Sequence, residues 1–319
     1  MIYEINKISR LALTKVKGDV LFAKSKKTSR FIDGLERYVG FTCRKASVNA
    51  GDLTIELEIH TNRKLAEYLA SEAFLFYQAS LASYERAQLP QPNNASWQVV
   101  ELYYSAYYAA HFILRSCGKS ISQINKDLMD VIECNYIPPI NNQNISGTFT
   151  PGMYYLTMDD SFEKLLAVKK DRKKSDGGSH KELWLRWSDL MDELLTDAMN
   201  DIKEYNNSIS FIKEHKIFCH GSGEFSPSKI RSDINYRFIQ GTWFFEGVPP
   251  QRLSTLTSSI KSFDFFQSNS HEKNDHISKL IKHSLFIIEL ANSIFDKATL
   301  KHSCIAKQIK SGILKLKSS

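Results

Sequence analysis

Residues 97–117 read WQVVELYYSAYYAAHFILRSC, apolar on nearly every side, and Gly118 follows. A helix with no polar face cannot lie on a surface, so this segment predicts the central helix of a bundle. It nevertheless carries Glu101, Tyr104, Tyr108, His111 and Arg115, at spacings of 3, 4, 3 and 4. At ~100° per residue these five fall on one narrow face. Unpaired buried polar groups are costly. The stripe is therefore either a network satisfied by a neighbouring helix or one wall of a site. His111 can act as an acid or base near neutral pH, and Arg115, one turn further on, can bind a phosphate with both arms.

The flanking sequence supplies partners for such a helix. Leu65, Leu69, Ala73 and Phe76 recur at helical spacing from Asn62 to about Gln88, where Pro90 and Pro92 end the run. Ser96 is positioned to cap the central helix and Gly118 to stop it. Helices are also expected over 122–136, 160–170, 179–205 (opened by a Ser179–Glu182 capping box), 209–219, 227–238, 252–266 and 276–315. Leu183, Trp187, Leu190, Leu194 and Met199 are the expected core positions of the 179–205 helix. Residues 138–153 read as a loop, 171–178 as a basic turn and 241–250 as an aromatic loop around Trp243, Phe244 and Phe245. Before residue 62 the pattern changes. A short helix is expected from Ile8 to Val16, Val20–Ala23 and Tyr38–Cys43 have strand-like composition, and Asp52–His60 alternates as a half-buried strand should.

Hydrophobic residues make up 42% and charged residues 24% of the 319, the balance of an ordinary soluble protein with ample length for a core. No apolar run reaches the ~18 residues of a membrane span, and the first residues lack a signal-peptide pattern. The five cysteines are scattered with no CxxC pair, so reduced thiols are expected in a cytoplasmic protein, with neither a zinc site nor a disulfide framework. The net charge of +7 is uneven. Residues 1–50 hold 11 Lys/Arg against 4 Asp/Glu, and residues 301–319 hold five Lys and no acid, which leaves the interior net acidic. Basic ends suit phosphate contact, and they equally suit simple solubility.

A second constellation lies at residues 226–237, SPSKIRSDINYR. Ser226 and Pro227 form an N-cap and first-turn proline. Arg231 and Asn235 are four apart and share a face. Asn235 is a poor helix former, which suggests a task for its side chain. Arg237 can instead pair with Asp233 one turn back, as on any solvated helix. His215 and His220 lack metal-ligand partners at a plausible spacing. The sequence has no GxSxG, HExxH or Walker motif, and no metal or cofactor is expected.

The stretch Tyr103–Gly118, the 226–237 helix and the Gly178–Trp184 segment together resemble the HEPN superfamily of helical bundles, over roughly residues 62–300. The implied fold is mainly α, a HEPN-like bundle (62–300) preceded by a small α+β or irregular basic segment (1–61) and followed by a basic tail (301–319). Many members are metal-independent endoribonucleases of antiphage defence or toxin–antitoxin systems, with active sites commonly completed across a dimer. Their signature is an arginine, four to six spacers and a histidine. Here Arg231 is followed by Ser232, and Tyr236, Arg237 and Phe238 stand where the histidine belongs. The resemblance implies His111, Arg231, Asn235 and Tyr236 as catalytic residues, and Arg115, Arg237, Tyr104, Tyr108 and Glu101 as binding residues. RNA, a second copy of the chain and a cognate defence or antitoxin protein are the implied partners, with no membrane. The alternative is a non-catalytic bundle that binds RNA, a nucleotide or a partner protein as a regulatory subunit.

Overall fold

The computed structural model describes residues 2–21, 23, 30–89, 95–138, 149–170, 178–220, 226–247, 249–261 and 276–299. It is mainly α-helical, and it also contains a five-stranded antiparallel sheet. The chain divides into two compact units. One is Met1–Lys15, Phe76–Ala110 and Leu183–Ser319; the other is Val16–Leu75 and His111–Glu182. No described helix is long and apolar enough to cross a membrane. The basic tail 301–319 lies outside the described residues, as do 139–148 of the expected loop and 171–177 of the basic turn.

The first unit is helical. It contains α1 (Ile2–Lys15), the later part of α4 (Asn62–Ala87), the earlier part of α5 (Ser96–Ser116) and most of α7 (Ser179–Met199). It continues with α8 (Ile202–His220), α9 (Pro227–Ser232), α10 (Pro250–Lys261) and α11 (His276–Thr299). Val99, Val100, Leu102 and Ser105 of α5, which point to different sides of the helix, are all buried, as an all-round apolar sequence requires. From α7, Leu183, Trp187, Leu190 and Leu194 are buried, whereas Met199, expected in the core, ends the helix 52% exposed. From α11, Leu280, Leu285, Ile288 and Ile294 close the core. Ser9 and Ser293 hydroxyls share a hydrogen bond (2.8 Å), and Lys15 pairs with Asp197 (2.8 Å), which ties α1 to α11 and α7. Ser96 does not cap α5. It lies within the helix, and its hydroxyl donates to Thr242 Oγ1 (3.0 Å).

The second unit is built on the sheet β1-β2-β5-β4-β3, formed by β1 (Phe41–Asn49), β2 (Asp52–Ile59), β3 (Lys119–Ile124), β4 (Gly152–Met158) and β5 (Lys164–Lys169). The alternation of residues 52–60 forms a strand as expected. Leu53, Ile55, Leu57 and Ile59 are buried, and Thr54, Glu56 and Glu58 face the other way. Registers place Ala46, Ile55, Ala167, Leu156 and Ser120 in one row across the inner face. A two-residue turn joins β1 to β2, with φ of 49° at Ala50 and 85° at Gly51, as a type I′ turn demands. The short helices α2 (Gly18–Leu21), α3 (Phe31–Arg37) and α6 (Lys126–Cys134) complete this unit with the early part of α4 and the end of α5. Gly118 takes the left-handed conformation that ends α5 (φ 72°).

Three expectations are corrected. Residues 160–170 are a turn and strand β5, because Leu165 and Ala167 face inward while Lys164 and Leu166 do not, a period of two. The expected 122–136 helix is β3 followed by α6, which starts at Lys126 because the Asn125 side chain accepts from Leu128 N–H (2.9 Å). Val20 lies in the one-turn helix α2 and not in a strand.

Candidate functional site

The Arg231 helix begins as its sequence dictates. Ser226 Oγ accepts from Lys229 N–H (3.3 Å), with Pro227 in the first turn. After α9 the chain widens into a π turn, Asp233–Arg237, that ends at Phe238 in the left-handed region (φ 53°). In an α-helix Phe238 N–H would bond to Ile234 C=O. Instead it bonds to Asp233 C=O (2.8 Å), and the freed Ile234 carbonyl accepts from Trp243 Nε1–H (2.8 Å). Both carbonyls are thus satisfied, which is how a turn of this rare kind persists. Asp233 is buried and accepts from Arg237 Nη1 and Gln240 Nε2 (3.3 Å each), so Arg237 is occupied as an i,i+4 partner.

Arg231 has different company. Its Nη2 donates to Tyr104 Oη, and its guanidinium carbon lies 5.3 Å from the Tyr104 ring centroid and 5.7 Å from that of Tyr236. Both separations are in cation–π range. Among the described residues no carboxylate pairs with it. Its Nε is buried without a hydrogen-bond partner, and so is Asn235 Oδ1 one turn later. Tyr236 is 68% exposed. Tyr104 in turn stacks on Tyr108 (6.1 Å) and meets Tyr103 edge-on (5.5 Å). Tyr103 is buried and accepts from Trp184 Nε1–H (3.2 Å). Burial raises the pKa of the Tyr103 and Tyr108 hydroxyls, which keeps both neutral. Glu101 is held by Arg86, whose Nε and Nη2 both donate to it (3.0 Å each). Within the first unit the α5 stripe therefore serves two ends: Glu101 closes a two-armed ion pair, and Tyr104 holds Arg231.

No protein-family model, curated protein or solved structure matches the chain. The reading of this site accordingly rests on its own chemistry.

The other two stripe residues belong to the second unit. His111 and Arg115 are 4% and 2% exposed. Arg115 Nε donates to Glu72 Oε2 (2.6 Å), its Nη1 to His111 Nδ1 (2.8 Å) and its Nη2 to Ile121 C=O (3.4 Å). A guanidinium only donates, so His111 Nδ1 accepts and the ring proton sits on Nε2. Burial, and then the Arg115 cation, hold the His111 pKa well below its usual value. This is a sealed, compensated network.

A further histidine cluster lies in the first unit, around His215, for which the sequence offers no metal-ligand partner at a plausible spacing. Trp187 Nε1–H donates to His215 Nε2 (2.7 Å), and His215 Nδ1 lies 3.0 Å from His283 Nδ1. An indole N–H cannot accept, so His215 carries its proton on Nδ1 and donates to His283. The His283 proton is then on Nε2, which faces Glu214 Oε1 at 3.6 Å. Among the described residues no group of three His, Cys, Asp or Glu side chains is placed to hold a metal ion.

Proposed function

We propose that this chain is a HEPN-like helical bundle that binds single-stranded RNA through Arg231 and does not cut it. One observation carries the reading. Arg231 is a half-buried cation with no carboxylate partner among the described residues, its Nε is a buried orphan, and Asn235 Oδ1, four residues further on, is another. Buried unpaired polar groups destabilise a fold by about 1–3 kcal/mol each, so such a pair persists where a ligand completes it. A phosphate supplies the missing negative charge and accepts in the geometry a guanidinium offers. Tyr104 and Tyr236 supply ring faces, and aromatic rings beside a cation are what unstacked bases require. The exposed Tyr236 ring lies against the guanidinium and offers its face to solvent.

The preference for binding over cleavage follows from the groups around Arg231. Metal-free cleavage needs a base for the 2′-hydroxyl and an acid for the leaving oxygen. Among the described residues the contacts of Arg231 are tyrosines, and His111 is neutral, buried and committed through Nδ1 to Arg115. A regulatory role in a bacterial defence complex, as the family resemblance implies, suits a bundle that holds RNA intact.

The test is fluorescence anisotropy with a labelled RNA of about twelve nucleotides, within the usual site size. Arg231→Ala is expected to weaken binding about 10- to 100-fold, the range for a charge-assisted contact. Equal affinity in the variant overturns the assignment. Discrete cleavage of total RNA in EDTA that disappears in Arg231→Ala replaces binding with a nuclease function.

A further inference from the structure

The first unit displays a cluster of rings beside the Arg231 segment. Trp97 is 52% exposed, Phe238 44%, Phe244 63% and Phe245 54%. They meet around Trp243: Trp97 at 5.8 Å, Phe238 at 5.7 Å and Phe245 at 5.3 Å, with Phe244 against Phe245 at 5.2 Å. Exposed apolar patches of this kind mark binding surfaces.

The patch is held rigidly. Glu246 accepts from the backbone N–H groups of Thr242 (3.2 Å) and Trp243 (2.8 Å), and also from that of Gly241. Thr242 C=O accepts from Ala95 N–H (3.2 Å), and the Trp243 indole N–H is fixed on Ile234 C=O. Phe238 is held in the left-handed region, uncommon for a residue with a side chain. A surface held this firmly that still leaves Trp97, Phe238, Phe244 and Phe245 in water is preorganised for a ligand.

We propose that this cluster is a stacking platform for RNA bases, continuous with the phosphate contact at Arg231. The proposal rests on the RNA-binding reading of Arg231 and extends it to the bases. Three observations favour a nucleic-acid strand over a protein surface. The patch is almost wholly aromatic, and every base has a face to stack. The Glu246 carboxylate is consumed by backbone donors, while the cation on the helix that leads into Phe238 and has no carboxylate partner among the described residues is Arg231. Trp97 and Tyr104 are seven residues apart on α5, which places them on one face with a rise of ~10.5 Å. Tyr104, which holds Arg231, and Trp97, at the edge of the patch, therefore line one path along which a strand can run.

The experiment compares the wild type, Arg231→Ala and Phe244→Ala/Phe245→Ala, using a labelled RNA of about twelve nucleotides and adenosine monophosphate as probes. Both phenylalanines are more than half exposed, so the double variant is expected to keep its circular dichroism and melting curve. It should bind the RNA about 10- to 100-fold more weakly, from stacking energies of about 1–3 kcal/mol per base, and lose less affinity for the mononucleotide, whose phosphate Arg231 still holds. RNA should also quench tryptophan fluorescence in the wild type. The platform is overturned if the double variant binds RNA normally, or if it loses self-association and not RNA affinity, which would make the patch a contact between copies. If Arg231→Ala is silent while the double variant is weakened, the arginine reading fails and the platform stands alone. If the wild type binds no RNA, both fail.

Discussion

Acidification to about pH 5.5, still above the range where most carboxylates titrate, should destabilise this protein through three buried histidines. His215 is held neutral by burial and by Lys282, its pKa lowered to about 3. His283 and His111 are both lowered well below the usual value, by burial first and then by His215 and Arg115 respectively. Each binds a proton in the unfolded chain near pH 6.5 and none in the folded chain, so unfolding takes up protons and stability falls with pH. The contribution is complete above ~6.5 and is lost as pH drops toward the folded values. Between about pH 7.5 and 5.5 the unfolded-state term changes tenfold per histidine, or ~1.4 kcal/mol. Three histidines give ~4 kcal/mol, a large fraction of the ~5–15 kcal/mol that stabilises a typical domain. Urea unfolding at the two pH values, followed by tryptophan fluorescence for the first unit, which holds all four tryptophans, and by circular dichroism for both units, measures this as a shift in midpoint. If the two units melt separately, the first should lose ~2.7 kcal/mol and the second ~1.4 kcal/mol, because His215 and His283 lie in one and His111 in the other. His215→Phe/His283→Phe should remove two-thirds of the pH dependence, whatever it does to stability at neutral pH. A midpoint unchanged between the two pH values, or a double variant with the full wild-type slope, would refute the reasoning.

Two further outcomes concern the second unit. Glu72→Gln or Arg115→Met breaks a pair whose side chains are 13% and 3% exposed, and should cost about 3–5 kcal/mol in chemical denaturation because it strands the remaining partner. The joint variant Glu72→Met/Arg115→Met should cost less than the two single losses added together. Gly34→Ala places a methyl inside the Tyr68 ring, so α3 and α4 must separate; a loss of about 1–3 kcal/mol is expected, read as a lower melting temperature.

The elements legible in the sequence are those whose signal is local. The all-round apolar run of α5, the helical recurrence along α4 and the two-residue alternation of β2 each specify their own structure. β3 and β5 do not. Each is six residues long, and Leu165, Leu166, Ala167 and Val168 are apolar on both faces, so a strand period is hidden. β5 pairs on one side with its chain neighbour β4, but its other partner is β2, more than a hundred residues earlier, and no local pattern announces that partnership. The same holds at the side chains. Arg231 and Asn235 share a face by spacing alone, whereas the π turn after them depends on Trp243 taking a carbonyl nine residues away. The His215–His283 contact joins residues 68 apart, and Arg115 finds Glu72 across 43.

The stripe on α5 carries one arginine and receives another, and their surroundings separate two roles that the residue type does not. Arg115 is buried with a carboxylate at 2.6 Å, a carbonyl and an imidazole acceptor, so its donors are directed into the fold. Exchange of such a group for an apolar one changes stability before anything else. Arg231 is half-buried, faces rings and a phenol, and keeps an unsatisfied Nε. Tyrosine rings offset part of the desolvation of a cation but leave its charge formally uncompensated. A fold gains little from an arrangement of that kind, since an aliphatic side chain would pack between Tyr104 and Tyr236 without an orphaned donor. What we propose the arrangement provides is affinity for an anion that arrives from outside. The difference between a compensated and an uncompensated guanidinium is therefore the physical ground for placing binding at Arg231 and architecture at Arg115.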